Sequence, residues 1–376
     1  MKRYLTLIML MALSFCLALG LSAAFASESY QWNLPDWTPP PVVPVENPMS
    51  DAKVELGRHL FYEKRLSVTG EFSCATCHDQ SRAFTEKKSV SIGATGETHP
   101  RNAMSLANVA YNSVLTWANP NMTSLESQLL VPLFGEHPIE MGMVGKEQDI
   151  IALLQRDPKY SRLFKSAFNG EISIQNLAKA IAAFERTLIS FSSPYDQYRY
   201  GGNDRAISDS AKRGEALFES ERLECFHCHS GINFSDSVKH SRLAFQEIAF
   251  HNTGLYNLDG KGAYPSNNTG VHEITLKPSD MGRFKAPTLR NIALTAPYMH
   301  DGSIASLEKV IEHYAAGGRT IHTGAWAGIG SENPLKSSFV KGFKLSQQEK
   351  QDLLAFLRSL TDESFIHDRA FSDPNS

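Results

Sequence analysis

Cys74-Ala75-Thr76-Cys77-His78 and, about 150 residues later, Cys225-Phe226-His227-Cys228-His229 each set two thiols three positions apart with an imidazole directly after the second. Thiols so spaced can add across the two vinyl groups of one macrocycle, and the adjoining histidine then swings beneath it to meet the metal. Cys-x-x-Cys-His is accordingly a c-type haem attachment sequence, with the histidine as proximal iron ligand. Two copies use four of the five cysteines. The competing chemistries are a zinc site, which wants four ligands gathered in space, and paired redox dithiols, which want a βαβ setting absent here. The motifs predict two covalently bound haems c, held by Cys74, Cys77, Cys225 and Cys228, with His78 and His229 on the irons.

The elements around these motifs must fit in 376 residues, enough for two domains. With 42% apolar and 20% charged residues the chain can bury a core and keep a soluble surface. A net charge of −3 carries no electrostatic footprint for nucleic acid. Lys2 and Arg3, an apolar run from Tyr4 to Leu21 and then Ala24-Phe25-Ala26 have the plan of a secretory signal peptide over residues 1–26. Cleavage would remove Cys16 and leave a charge of about −5. The expected compartment is the periplasm, where bacteria attach c-type haem. No later apolar run is long enough to span a bilayer.

Taken in order, residues 27–48 hold six prolines with Trp32 and Trp37 and read as an extended surface arm, pinned by the tryptophans. A helix is predicted from Ser50 to Phe61 on the spacing of Ala52, Leu56 and Leu60, with Gly57 a weak point inside it. Residues 87–103 read as loop. Helices follow at 124–131, 147–156 and 175–191, the last with Leu177, Ile181, Phe184 and Leu188 as a core-facing stripe. Ser192 to Gly202 reads as a break and as the boundary between domains spanning 49–200 and 201–376. Helices at 208–219, 304–316 and 346–360 and a glycine-rich loop over 251–282 make up the second half. The expected class is mostly α, with two haem domains.

The run Gly282-Arg283-Phe284-Lys285-Ala286-Pro287-Thr288-Leu289-Arg290-Asn291, with Thr295-Ala296-Pro297-Tyr298-Met299-His300-Asp301-Gly302, resembles the bacterial di-haem cytochrome c peroxidase family, which includes MauG. The resemblance covers nearly all of the mature chain and is nearest to the MauG-like MbnH branch, whose members modify a partner protein. It implies two cytochrome-c-like haem domains, a peroxide-binding haem on His78 and a six-coordinate haem on His229. Peroxidases of the family place a methionine fourteen residues after the histidine of the His-Asp-Gly segment. Here that offset from His300 reaches Tyr314, as in MauG, and no methionine follows. Methionine raises a haem's potential, whereas phenolate favours oxidised iron. His313 is the rival ligand, but neighbouring helical positions point about 100° apart, so one of the two faces the iron.

By the same resemblance Glu140 is the distal acid–base group, with His137 as alternative, and Gln128 and Pro132 complete the distal pocket. Trp117 stands between the haems as a charge relay. Asn102, Thr295 and Pro297 match a calcium position, and oxygen donors of this kind suit that ion. Two departures are informative. MauG draws electrons through a surface tryptophan two residues before its second motif, and this chain has Leu223 there. Trp326, Trp32 and Trp37 are the remaining candidates for an exit. His99 is not at the offset of the removable ligand of many peroxidases, so the His78 haem is expected to be open without prior reduction. The implied activity is hydrogen-peroxide-dependent oxidation of side chains, tryptophan among them, on a periplasmic protein substrate, with two oxidising equivalents spread over both haems. The alternative is detoxification of peroxide with electrons from a small cytochrome donor.

Overall fold

A computed structural model describes residues 30–375. The predicted signal segment, with its cleavage site and Cys16, lies outside the described residues. The chain divides into two compact units at Asn33 and Leu34; in the first, Tyr30 and Trp32 meet edge to face, centroids 5.0 Å apart.

The larger unit is mostly helical, as expected. Its helices are α1 (Asp51–Phe61), α2 (Cys74–Cys77), α3 (Leu125–Gln128), α4 (Leu130–Phe134), α5 (Glu147–Arg156), α6 (Pro158–Phe168) and α7 (Ile174–Arg186). They continue with α8 (Pro194–Arg199), α9 (Asp209–Phe218), α10 (His272–Thr275), α11 (Leu307–Ala315), α12 (Gln347–Ser359) and α13 (Glu363–His367). Sheet among the described residues is one antiparallel pair, β1 (Thr320–Ile321) with β2 (Gly328–Ile329), in the register Thr320–Ile329. Serine starts five of the longer helices. Ser50, Ser173, Ser208, Ser306 and Ser346 each accept from a backbone N–H in the first turn, which satisfies a donor the helix itself leaves free.

Four elements depart from the sequence reading. The 192–202 break contains α8, because Ser193 and Asp196 form a reciprocal cap and Pro194 sits at the first helical position, where its missing N–H costs nothing. Helix α6 was not read from the sequence; Asp157 caps it and Pro158 opens it, directly after α5. The predicted 124–131 helix is two pieces, because Pro132 cannot donate to the Gln128 carbonyl and its ring crowds that turn. The 251–282 loop also carries the short α10.

The apolar side chains pack as two main clusters. The first joins Leu56, Leu60 and Phe61 of α1 to Leu177, Ile181 and Phe184 of α7, with Phe84 and Tyr160. The second joins Phe218 of α9 to Leu353, Phe356 and Leu357 of α12, with Tyr195, Phe234 and Leu307. The same device builds both crossings. A Cβ on Gly57 would lie 1.9 Å from the Ala180 carbonyl oxygen, and one on Gly214 would lie 2.0 Å from that of Asp352. Glycine in each helix preceding a Cys-x-x-Cys-His motif thus lets a later helix approach at backbone distance. The proline-rich segment is pinned by one of the two tryptophans: Trp37 stacks on Tyr200 at 3.9 Å, and the Tyr111 hydroxyl donates to the Pro39 carbonyl at 2.9 Å, whereas the ring of Trp32 meets Tyr30.

Candidate functional site

Each motif presents its histidine in the same way. His78 Nδ1 lies 2.8 Å from the Phe84 carbonyl, and His229 Nδ1 lies 3.0 Å from that of Phe234. Both acceptors sit in tight turns where the residue has positive φ, 59° at Phe84 and 48° at Phe234. A carbonyl on Nδ1 fixes the tautomer whose Nε2 carries the lone pair, the usual arrangement of a metal-bound imidazole. Burial holds both rings below the ordinary imidazole range, in the neutral form that ligates iron. The four thiols are free of disulfides. Among the described residues, the groupings able to hold a metal are Cys228–Asp236–His251 and Glu221–Glu224–His227, neither of which gathers four zinc ligands from the two motifs. These residues fit two covalent haems.

Tyr314 lies in the last turns of α11, and burial together with the nearby Cys228 and Cys225 thiols and Tyr264 raises its phenol well above the usual range. The phenol is thus neutral by itself; a bound iron is what would favour the phenolate. His313 is buried, and neither of its ring nitrogens has a hydrogen-bond partner. Its ring meets that of Tyr314 edge to face, with centroids 5.1 Å apart.

At the first motif, Glu140 is fixed from two sides. Its carbonyl accepts from Ala94 N at 2.6 Å, the next residue's Met141 N donates to the Pro132 carbonyl at 2.9 Å, and Ile139 N donates to Glu97 Oε2 at 2.6 Å. Gly93 permits this contact, since a Cβ there would fall 1.9 Å from the Ile139 oxygen. Burial pushes the Glu140 carboxyl up to about 7, and its charge acts on both Cys74 and Cys77. Gln128 ends α3 and Pro132 lies in α4, and the Met141 N–H bond ties Pro132 to the Glu140 segment. His137, by contrast, is exposed.

One cavity brings together Asn102, Trp117, Thr295 and Pro297, with Met104, Lys285 and Pro287 in its wall. The Trp117 indole N–H donates to the Asn102 carbonyl at 2.8 Å, and its own carbonyl accepts from Lys285 N at 2.8 Å. Met104 and Pro287 are the backbone neighbours of His78 and His229 respectively, so Trp117 shares its cavity with the surroundings of both ligands. Asn102 Nδ2 donates to the Lys88 and Ser89 carbonyls at 3.0 and 3.1 Å, which leaves Oδ1 as the atom able to meet a cation. Sequence reasoning assigned no role to Lys285. It is buried, donates through Nζ to the Val114 carbonyl at 2.9 Å, and burial lowers it to about 7. A lysine inside a basic-looking run carries no outward sign of this.

His251 is a second residue that was missed. Its Nε2 meets Asp236 Oδ2 at 2.5 Å beside Cys228; burial opposes its charge, but Asp236 and Cys228 outweigh this and push it up to about 10. His99 bonds within its own loop, accepting from Arg101 N at 2.9 Å. Leu223 is buried in the second cluster and offers no surface.

A family model described as di-haem cytochrome c peroxidase matches residues 51–205. The chain is 34% identical over 321 residues to the methylamine utilization protein MauG of Methylophilus methylotrophus, covering 84% of each chain. It is 35% identical over 347 residues to the cytochrome-c peroxidase IdrP1 of Pseudomonas sp. (strain SCT), covering 88% of this chain and 86% of that one. The chain belongs to the di-haem cytochrome c peroxidase family. A crystal structure of a MauG-like protein associated with microbial copper homeostasis superposes with a TM-score of 0.90 at 50% identity, covering 92% of this chain and all of that one. The protein is thus a di-haem peroxidase-type oxidoreductase, and the family implies two haems c on the two motifs. No helix among the described residues is long and apolar enough to cross a membrane.

Proposed function

We propose that this family member is a MauG-type enzyme of the periplasm. It uses hydrogen peroxide to oxidise amino-acid side chains, tryptophan among them, on a partner protein. The observation that carries this reading is Tyr314, which stands beside the Cys225 and Cys228 thiols where a plain peroxidase offers methionine. The haems, bound as two cytochrome-c-like halves of the chain, supply peroxide binding on the His78 side and storage of oxidising equivalents. The protein's own part is to divide the labour. Around His78, Glu140 has an acidity near neutrality and so can take a proton from one peroxide oxygen and return it to the other. Gln128 and Pro132 wall that pocket. Around His229, Tyr314 would ligate the iron of a bound haem and would favour its oxidised state. Trp117 relays charge between the two sites, and Asn102, Thr295 and Pro297 hold a calcium ion that stiffens the same cavity.

Cytochrome-c peroxidases among the relatives define the rival reading, peroxide removal with a small cytochrome as donor. Stoichiometric peroxide added to the diferric holoprotein separates the two. The MauG-type reading expects a long-lived oxidised state with near-infrared absorption and slow turnover of reduced cytochrome c. Rapid steady turnover with cytochrome c, without such a state, overturns it.

A further inference from the structure

If oxidising equivalents collect at the second haem site, an electron path must join that site to the surface, and the buried Leu223 closes the position MauG uses. Tyrosine and tryptophan are the side chains most readily oxidised by one electron, so a path should be a file of them at near-contact spacing. Of the four tryptophans, Trp117 is interior to the site, and Trp32 belongs to the separate 30–33 segment. Trp37 is stacked on Tyr200, and its other ring neighbour is Phe191, which is much harder to oxidise.

Trp326 is different. It is 46% exposed in the turn between β1 and β2, and its ring lies edge-on to Tyr256 with centroids 6.4 Å apart. Tyr256 in turn lies 5.4 Å from Tyr264, edge-on. Tyr264 is buried in the second apolar cluster, against which Cys225 of the second motif also packs. The turn is fastened to this file: Asn257 Nδ2 donates to the Ile329 carbonyl at 3.1 Å, and Gly328 has no side chain because a Cβ would fall 2.3 Å from the Asn257 oxygen.

We infer that Tyr264, Tyr256 and Trp326 are the electron route between the second haem site and the surface, and that a protein donor is oxidised against Trp326. The inference rests on the function proposed above, with hydrogen peroxide as the oxidant. Per turnover two electrons enter at Trp326, pass Tyr256 and Tyr264, and with two protons from solvent reduce one peroxide to two waters at the first site. At Tyr256 the proton has a fixed place to go. Its hydroxyl donates to Asp301 Oδ2 at 2.6 Å, and Arg319 lies over its ring at 4.6 Å. A guanidinium on the ring face disfavours a cationic ring, so the phenol proton shifts to Asp301 as the electron leaves and returns when the next electron arrives. No net proton is consumed there.

The test uses the full-length diferric holoprotein with peroxide and no donor, so that the route oxidises itself. Peptide mapping is expected to find oxygen added to Trp326 ahead of the other tryptophans. Tyr256→Phe and, independently, Tyr264→Phe are expected to lower that oxygenation at least tenfold at equal peroxide consumption. Freeze-quenched electron paramagnetic resonance is expected to lose an organic radical signal in Trp326→Phe. Trp326 left unmodified in a protein that does react with peroxide, or modified to the same extent in both tyrosine variants, removes the route and leaves the MauG-type reading standing. A diferric protein with no spectral response to peroxide removes that reading and the route with it.

Discussion

Glu140 shows how burial alone brings a carboxylate near neutrality, as the proposed role of proton shuttle requires. Three backbone hydrogen bonds at Ile139, Glu140 and Met141 fix its position, and burial brings its acidity to about 7. Glu140→Gln is expected to slow the reaction with peroxide by about 10²–10⁴, the usual worth of general acid–base help, with the ferric absorption spectrum unchanged. In the parent protein the stopped-flow rate constant should rise with pH through about 7, as the carboxylate form appears, and the glutamine variant should lose that rise. The sign for stability is opposite. An acid whose folded pKa lies above its unfolded value favours folding less as pH climbs from about 4.5 to 7, so the same substitution should flatten that part of the melting profile. Tyr314→Phe is expected to abolish the six-coordinate low-spin signature of the second haem in electron paramagnetic resonance. An unchanged low-spin signal would return the ligand role to His313.

At the scale of elements, the two helix crossings make the strongest demand. Gly57 costs α1 helix propensity, about 1 kcal/mol against alanine in an unpacked helix, so propensity alone favours Gly57→Ala. The crossing reverses the sign. An added methyl group meets the Ala180 carbonyl at 1.9 Å and the Phe184 Cβ at 2.9 Å, neither of which is the end of a flexible chain. Gly57→Ala is therefore expected to destabilise by roughly 1–3 kcal/mol or more, read as a lowered thermal midpoint. Gly70→Ala, with open space around its Cβ, serves as the comparison for positive φ without a clash.

For the whole molecule, the chain closes on itself. Phe365 and Phe371, far along the sequence, belong to the first cluster, where Phe365 packs on Phe84 at 5.6 Å. The Tyr62 hydroxyl donates to the Phe371 carbonyl at 2.7 Å and Gln80 Nε2 to that of Asp368 at 2.8 Å. Phe84 is also the residue whose carbonyl holds His78. The C-terminal segment thus buttresses the ligand of the first haem. Phe365→Ala is expected to cost about 3–5 kcal/mol in chemical denaturation. It should also perturb the spectrum of the His78 haem before that of the His229 haem.

What could be read directly was whatever is local in sequence. Cys-x-x-Cys-His needs five adjacent residues to do its chemistry, so both haem sites were legible from composition and spacing. So were the apolar stripes of α7 and α12, because helical period shows in any window that spans a few turns. The offset from His300 points to Tyr314 only through family resemblance, and its ligand role belongs to the proposed function. Tertiary structure alone decided the rest. Lys285, His251 with Asp236, and the Tyr264–Tyr256–Trp326 contacts draw their character from partners that chain folding, not local sequence, sets beside them. The acidity of a buried group and the spacing of a redox file are set by burial and by through-space distance, and neither quantity exists until the chain has folded.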